Sequence, residues 1–122
     1  MKADAYYNLH RHLWSIVARE GAQKGRVIAH LPRVLLADAE MIVRPAGRAR
    51  VRREGRKNVH AFVRGTILPD ATSVPAGVRP FSYNPREAGY FTLRDDDTRP
   101  PVRRAALVVL DGRRALALDP RP

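Results

Sequence analysis

A chain of 122 residues, 44% of them apolar, fits one domain with a real core and excludes a disordered chain. Its formal charge is +11, from 23 Lys and Arg against 12 Asp and Glu, so polyanions and acidic surfaces are the partners it attracts. No cysteine is present, which excludes a disulfide framework, a thiolate nucleophile and a cysteine zinc site.

Arginine supplies nearly all of the charge, the only lysines being Lys2, Lys24 and Lys57. A GC-rich genome accounts for arginine over lysine, but not for the excess of bases over acids. No stretch approaches the ~18–20 apolar residues of a membrane span. The residues after Met1 lack the apolar run of a signal peptide. The expected location is the cytoplasm, the host cytoplasm if the gene is phage-encoded, with no membrane partner.

In chain order, Ala5 to Glu20 reads as two short strands or one bent strand, with His10, Arg11 and His12 between them as a candidate hairpin connection. Gly21 to Gly25 reads as a turn with two glycines for positive φ. Arg26 to Leu31 reads as a strand that Pro32 ends, because proline cannot donate to a ladder. Val34 to Leu36 and Met41 to Val43 are two further β runs, with Ala37 to Glu40 an acidic break.

Arg44 to Lys57 changes character. It holds Arg44, Arg48, Arg50, Arg52, Arg53, Arg56 and Lys57 against one acid, Glu54. A short basic helix over 45–57 is the preferred reading: Pro45 suits a first turn, and Arg and Ala are good helix formers. The alternation Arg48-Ala49-Arg50-Val51-Arg52 also suits a strand. Val59 to Leu68 reads as a strand with Val59, Ala61, Val63 and Ile67 on one face and His60, Phe62, Arg64 and Thr66 on the other.

Pro69 to Pro80 is a long proline-rich loop, expected to be functional or mobile. Phe81 to Tyr83 and Tyr90 to Leu93 are short strands around an Asn84-Pro85 turn, and Arg94 to Pro101 is a polar loop. Ala105 to Leu110 and Arg113 to Leu118 form a hairpin about Asp111-Gly112, a two-residue turn of the mirror type. The expected fold is α+β and β-rich: a small antiparallel sheet or partly open barrel with one short basic helix. Residues 1–118 form the single domain and 119–122 a C-terminal tail.

The basic segment is the candidate site. On a helix Arg48, Arg52 and Arg56 share one face, and guanidinium forks pair bidentately with phosphate. The phosphate-binding set is Arg44, Arg48, Arg50, Arg52, Arg53, Arg56, Lys57, His60 and Arg64; the competing reading is a solvated charged helix. Tyr6, Tyr7 and Tyr83 are candidate stacking residues, while Trp14 and Phe62 are assigned to the core. Tyr6 and Tyr7 point to opposite faces if extended.

An enzyme finds less support. His10 and His12 would share a strand face, with His30, His60, Asp38 or Glu40 completing a metal set, but no helical ligand spacing accompanies them. Ser15, Ser73 and Ser82 lack a nucleophile elbow. Asp95-Asp96-Asp97 reads as a solvated acidic loop. No catalytic residue, metal or cofactor is assigned.

The stretches Tyr6-Tyr7-Asn8-Leu9-His10, Gly25-Arg26-Val27-Ile28-Ala29-His30 and Arg56-Lys57-Asn58-Val59-His60-Ala61-Phe62-Val63-Arg64-Gly65 resemble a family of small phage and prophage proteins. Ser82-Tyr83-Asn84-Pro85 and the closing hairpin are similar too. Where relatives of this kind are expected to carry an apolar residue in the basic segment, this chain has Arg52. The resemblance implies a phage setting and carries no assigned chemistry.

Three functions follow as expectations. The first is a non-enzymatic binder of nucleic acid or a nucleotide, acting in counter-defence. The second is an inhibitor that docks on an acidic or nucleic-acid-binding surface of a host protein. The third is a metal-dependent nuclease. Exposed strand edges make a homodimer a further expectation.

Overall fold

The computed structural model describes residues 1–44, 61–82 and 90–122. Within them the chain forms ten strands: β1 (Lys2–Asn8), β2 (Leu13–Ala18), β3 (Val27–Leu31), β4 (Arg33–Val43), β5 (Ala61–Ile67), β6 (Arg79–Ser82), β7 (Phe91–Leu93), β8 (Pro101–Val102), β9 (Arg104–Asp111) and β10 (Arg114–Leu118). They make one open antiparallel sheet in the order β3-β2-β1-β5-β4-β9-β10-β6-β7-β8. The described residues contain no helix, so none is long and apolar enough to cross a membrane. The basic helix expected over 45–57 lies outside the described residues.

The sheet curls until distant strands meet. Trp14 Nε1 on β2 donates to the Gly112 carbonyl at 2.9 Å, although β1, β5 and β4 separate β2 from β9. Gly112 N–H donates to the Pro32 carbonyl at 3.0 Å. The concave side gathers one core: Ala3 and Ala5, Trp14 and Ile16, Leu36 and Met41, Val63, Phe81, Phe91, Val108 and Leu110. Burying each large side chain of this set contributes roughly 1.5–3 kcal/mol. Aromatics are few, and they pack edge to face: Phe81 and Phe91 have centroids 6.0 Å apart, and Tyr7 and Trp14 5.1 Å.

A second, smaller apolar cluster lies on the convex side, built from Leu35, Leu107 and Val109 with Leu68, Leu116 and Leu118 against it. The long loop after β5 lies against it. Leu68 N–H donates to the Leu35 carbonyl at 3.0 Å, and Arg33 reaches the Asp70 carbonyl at 2.7 Å.

Two expectations change. β4 is one strand of eleven residues, not two runs with a break. Its register with β5 shifts between Ala37 and Glu40, and Asp38 takes a left-handed φ of 49° there. Gly65 opposes this bulge, and a Cβ on it would stand 2.7 Å from the Ala37 carbonyl oxygen. In the last hairpin Arg114 pairs with Asp111, so Gly112 and Arg113 form the two-residue turn. Only Gly112 has positive φ, at 59°, which fits the mirror turn with glycine first. Within 119–122, Arg121 makes an isolated antiparallel bridge with Arg104.

Candidate functional site

β4 and β5 are neighbours whose last described pair is Val43 with Ala61. The basic segment lies in the stretch of chain that joins these two strands. Arg44 is exposed just beyond β4, with its guanidinium 5.0 Å from the centroid of Phe62 on β5. Arg64, two residues along the same strand face, lies 5.5 Å from the same ring. Phe62 is 4% exposed, so its assignment to packing holds, but its packing partners include two cations.

Arg64 is anchored from below. Asp4 on β1 stands opposite it in the register. Arg64 Nε donates to Asp4 Oδ1 at 2.8 Å and its Nη2 to Oδ2 at 3.2 Å. Asp4 is only 6% exposed, and Arg19 adds a second guanidinium at 3.7 Å. The hydrogen bond to Asp4 outweighs desolvation and raises the Arg64 pKa above its ordinary value. Arg64 thus reaches the site already bound to a carboxylate, while Arg44 has its guanidinium on a ring.

Tyr6 and Tyr7 divide as extended geometry requires. Tyr7 joins the core against Trp14. Tyr6 is half-buried on the convex face, across from Ser15. Ser15 is fully buried, sits 2.9 Å from His30 Nδ1 and accepts from Asn8 Nδ2 at 3.2 Å. Asn8 also accepts from the His10 and Arg11 amides, which closes the β1–β2 turn.

His10 and His12 lie in that turn and not on a strand, so the shared strand face expected for them does not form. Among the described residues no three His, Asp or Glu side chains gather in a metal-holding group. Arg48, Arg50, Arg52, Arg53, Arg56, Lys57, His60 and Tyr83 lie outside the described residues. The Asp4–Arg64 pair was not legible, since its members are sixty residues apart.

The convex-face residues Phe62 and Arg64 fall in the stretch that resembled phage proteins, and the comparison with known proteins bears on it directly. Residues 1–117 match the family described as Mycobacterium phage L5 gene 82 protein. The chain belongs to the gene 82 protein family. Its similarity to the Gene 82 protein of Mycobacterium phage L5 is 45% identity over 92 residues, covering 70% of this chain and 72% of that protein. No solved structure matches the chain. The gene 82 family match spans every described strand from β1 to β9 and most of β10.

Proposed function

We propose that this phage protein is a non-enzymatic binder of a phosphate-bearing ligand, nucleic acid or nucleotide, through the segment 44–57. The observation that carries the reading is charge placement. Seven cations and one acid follow one another from Arg44 to Lys57, in the connection between β4 and β5, whose last described pair is Val43 with Ala61. Cations packed so closely repel one another, and an anion relieves that repulsion. Arg44 enters the segment with its guanidinium placed on Phe62, which lowers the entropy cost of engaging a phosphate.

In this reading 45–57 is a short basic helix with Arg48, Arg52 and Arg56 on one face, carried by a curled sheet of partly open barrel type. Arg103 and Arg104, exposed at the start of β9, add cations where β9 runs beside Glu40 and Met41 of β4. Arg64 supports the site more than it contacts the ligand, because Asp4 holds it. Acting in the host cytoplasm, such a protein would sequester a nucleotide signal or cover nucleic acid in counter-defence.

The test is purification at low salt, the 260/280 nm absorbance ratio, and mass spectrometry of released material. Coeluting oligonucleotide or a discrete nucleotide supports the reading. A clean spectrum that persists after DNA and RNA are added at low salt overturns it and points to a host protein as the target.

A further inference from the structure

The two edges of the sheet are built differently. One edge is β8, Pro101–Val102, only two residues long with Pro100 before it. Proline offers no N–H to an incoming strand, and so short an edge gives little to pair with. The other edge is β3, Val27–Leu31, which has no proline, Lys, Arg, Asp or Glu within it, with Pro32 directly after it. Among the described residues only β2 pairs with it. Val27 and Ile28 are 46% and 39% exposed. They sit where the register with β2 shifts opposite Ile16 and Val17. Natural sheets blunt such an edge with charge, proline, a bulge or a cover, and on β3 the register shift is confined to the Val27–Ile28 end, with Ala29–Leu31 in regular pairing with β2. Here β8 is blunted by its length and its prolines, while β3 is longer and among the described residues has one neighbour, β2.

Charge frames the open edge. Lys24 and Arg26 are exposed just before β3. Leu31 at its far end pairs with Trp14, beside the β1–β2 turn that carries exposed His10, Arg11 and His12. Glu20, on the turn that leads to β3, has its carboxylate on the Lys2 amide. A second copy pairing antiparallel would set the cations before one β3 against Arg11 of the other, between chains that each carry +11. A strand with acids at both ends meets opposite charge at both ends.

We propose that the β3 edge is a strand-addition site for an extended segment of a partner protein, one with acidic residues flanking a short apolar stretch. Five positions at about 3.4 Å each give a ladder of about 17 Å. Main-chain hydrogen bonds supply affinity, and Val27 and Ile28 meet the apolar residues of the incoming strand. The site does not use residues 44–57, so it stands or falls separately from phosphate binding.

The probe is a capped peptide of alternating valine and threonine with two glutamates at each end, added to the isotopically labelled full chain. Amide hydrogen exchange by NMR is expected to slow within Val27–Leu31 and to stay unchanged in β7 and β8. Replacing the glutamates by glutamine, or making V27E or I28E, is expected to weaken binding at least about tenfold. The exchange experiment on the unmodified chain stands alone if a variant fails to fold. No slowing in β3 at millimolar peptide overturns the proposal. Equal affinity for the glutamine peptide overturns its acidic part. A dimer by light scattering with β3 already protected assigns the edge to a second copy and overturns it as well.

Discussion

Asp4 and Arg64 lock β1 to β5 across the convex face through two hydrogen bonds, 2.8 and 3.2 Å long. The pair does more than join strands. Arg64 lies on Phe62, and Phe62 carries Arg44, so a buried carboxylate on β1 supports an exposed cation at the end of β4. Asp4→Asn leaves Arg64 half-paired against a neutral amide. Urea denaturation should show a loss of roughly 2–3 kcal/mol, below the largest values for fully buried pairs because Arg64 keeps some exposure to water. Arg64→Met leaves the buried Asp4 with the longer 3.7 Å contact to Arg19 and should cost a similar amount or somewhat less. The double variant should lose less than the sum, with coupling of about 1–2 kcal/mol in a double-mutant cycle.

Gly65 makes room for the β4 bulge. An added methyl would meet the Ala37 carbonyl at 2.7 Å and Leu36 Cβ at 3.1 Å. Both belong to a packed strand and give way poorly. Gly65→Ala should therefore lower stability by about 1–3 kcal/mol, the usual cost of overpacking. Thermal denaturation followed by circular dichroism checks it.

Trp14 closes the curl of the sheet through its indole N–H. Trp14→Phe keeps an aromatic ring but leaves the Gly112 carbonyl without that donor and removes volume from a site only 1% exposed. A loss of about 2 kcal/mol is expected from the hydrogen bond and the unfilled space together. Gly112→Ala tests the same corner from the other side. Its φ of 59° suits glycine, so the variant should also lose stability.

Acid stability has an identifiable contribution from the loop before β8. Asp95 is held below the usual carboxylate range chiefly by its hydrogen bond from Arg79, and Asp96 by the Thr98 hydroxyl and amide. A depressed folded pKa means the contribution is present above the unfolded value, about pH 4 for Asp, and is lost as pH falls through the folded value. Arg79 shifts upward by the same pairing, and its contribution fades only above the range where arginine is charged. Arg79→Gln should be less stable than the parent above about pH 4, and the two should converge as the pH drops below the folded value of Asp95. Denaturation midpoints across an acid series read this out.

Much of the sheet was legible because its signals are local. The β1–β2 connection, the Gly21–Gly25 turn and the stop at Pro32 follow from turn residues a few positions apart, and the structure has them. The bulge in β4 was not legible. Asp38 looked like a break, and the residue that turns a break into a bulge is Gly65, far along the chain. The last hairpin was legible as a hairpin, yet its turn moved by one residue, since Asp-Gly and Gly-Arg both satisfy mirror turns and only pairing decides. At the candidate site, Arg44 and Arg64 were legible as cations. That Asp4 holds one and Phe62 carries both is set by register between strands, which no local pattern encodes.

The most direct test of phosphate binding is the salt dependence of affinity for a fluorescein-labelled single-stranded oligonucleotide. The parent chain should bind with a steep negative slope of log K against log salt. The variant Arg48→Gln/Arg52→Gln/Arg56→Gln should bind more weakly, with the slope shallower by about 2 units if each arginine neutralises one phosphate. Equal affinity and equal slope for the two proteins would contradict the assignment of this segment as the ligand-binding element.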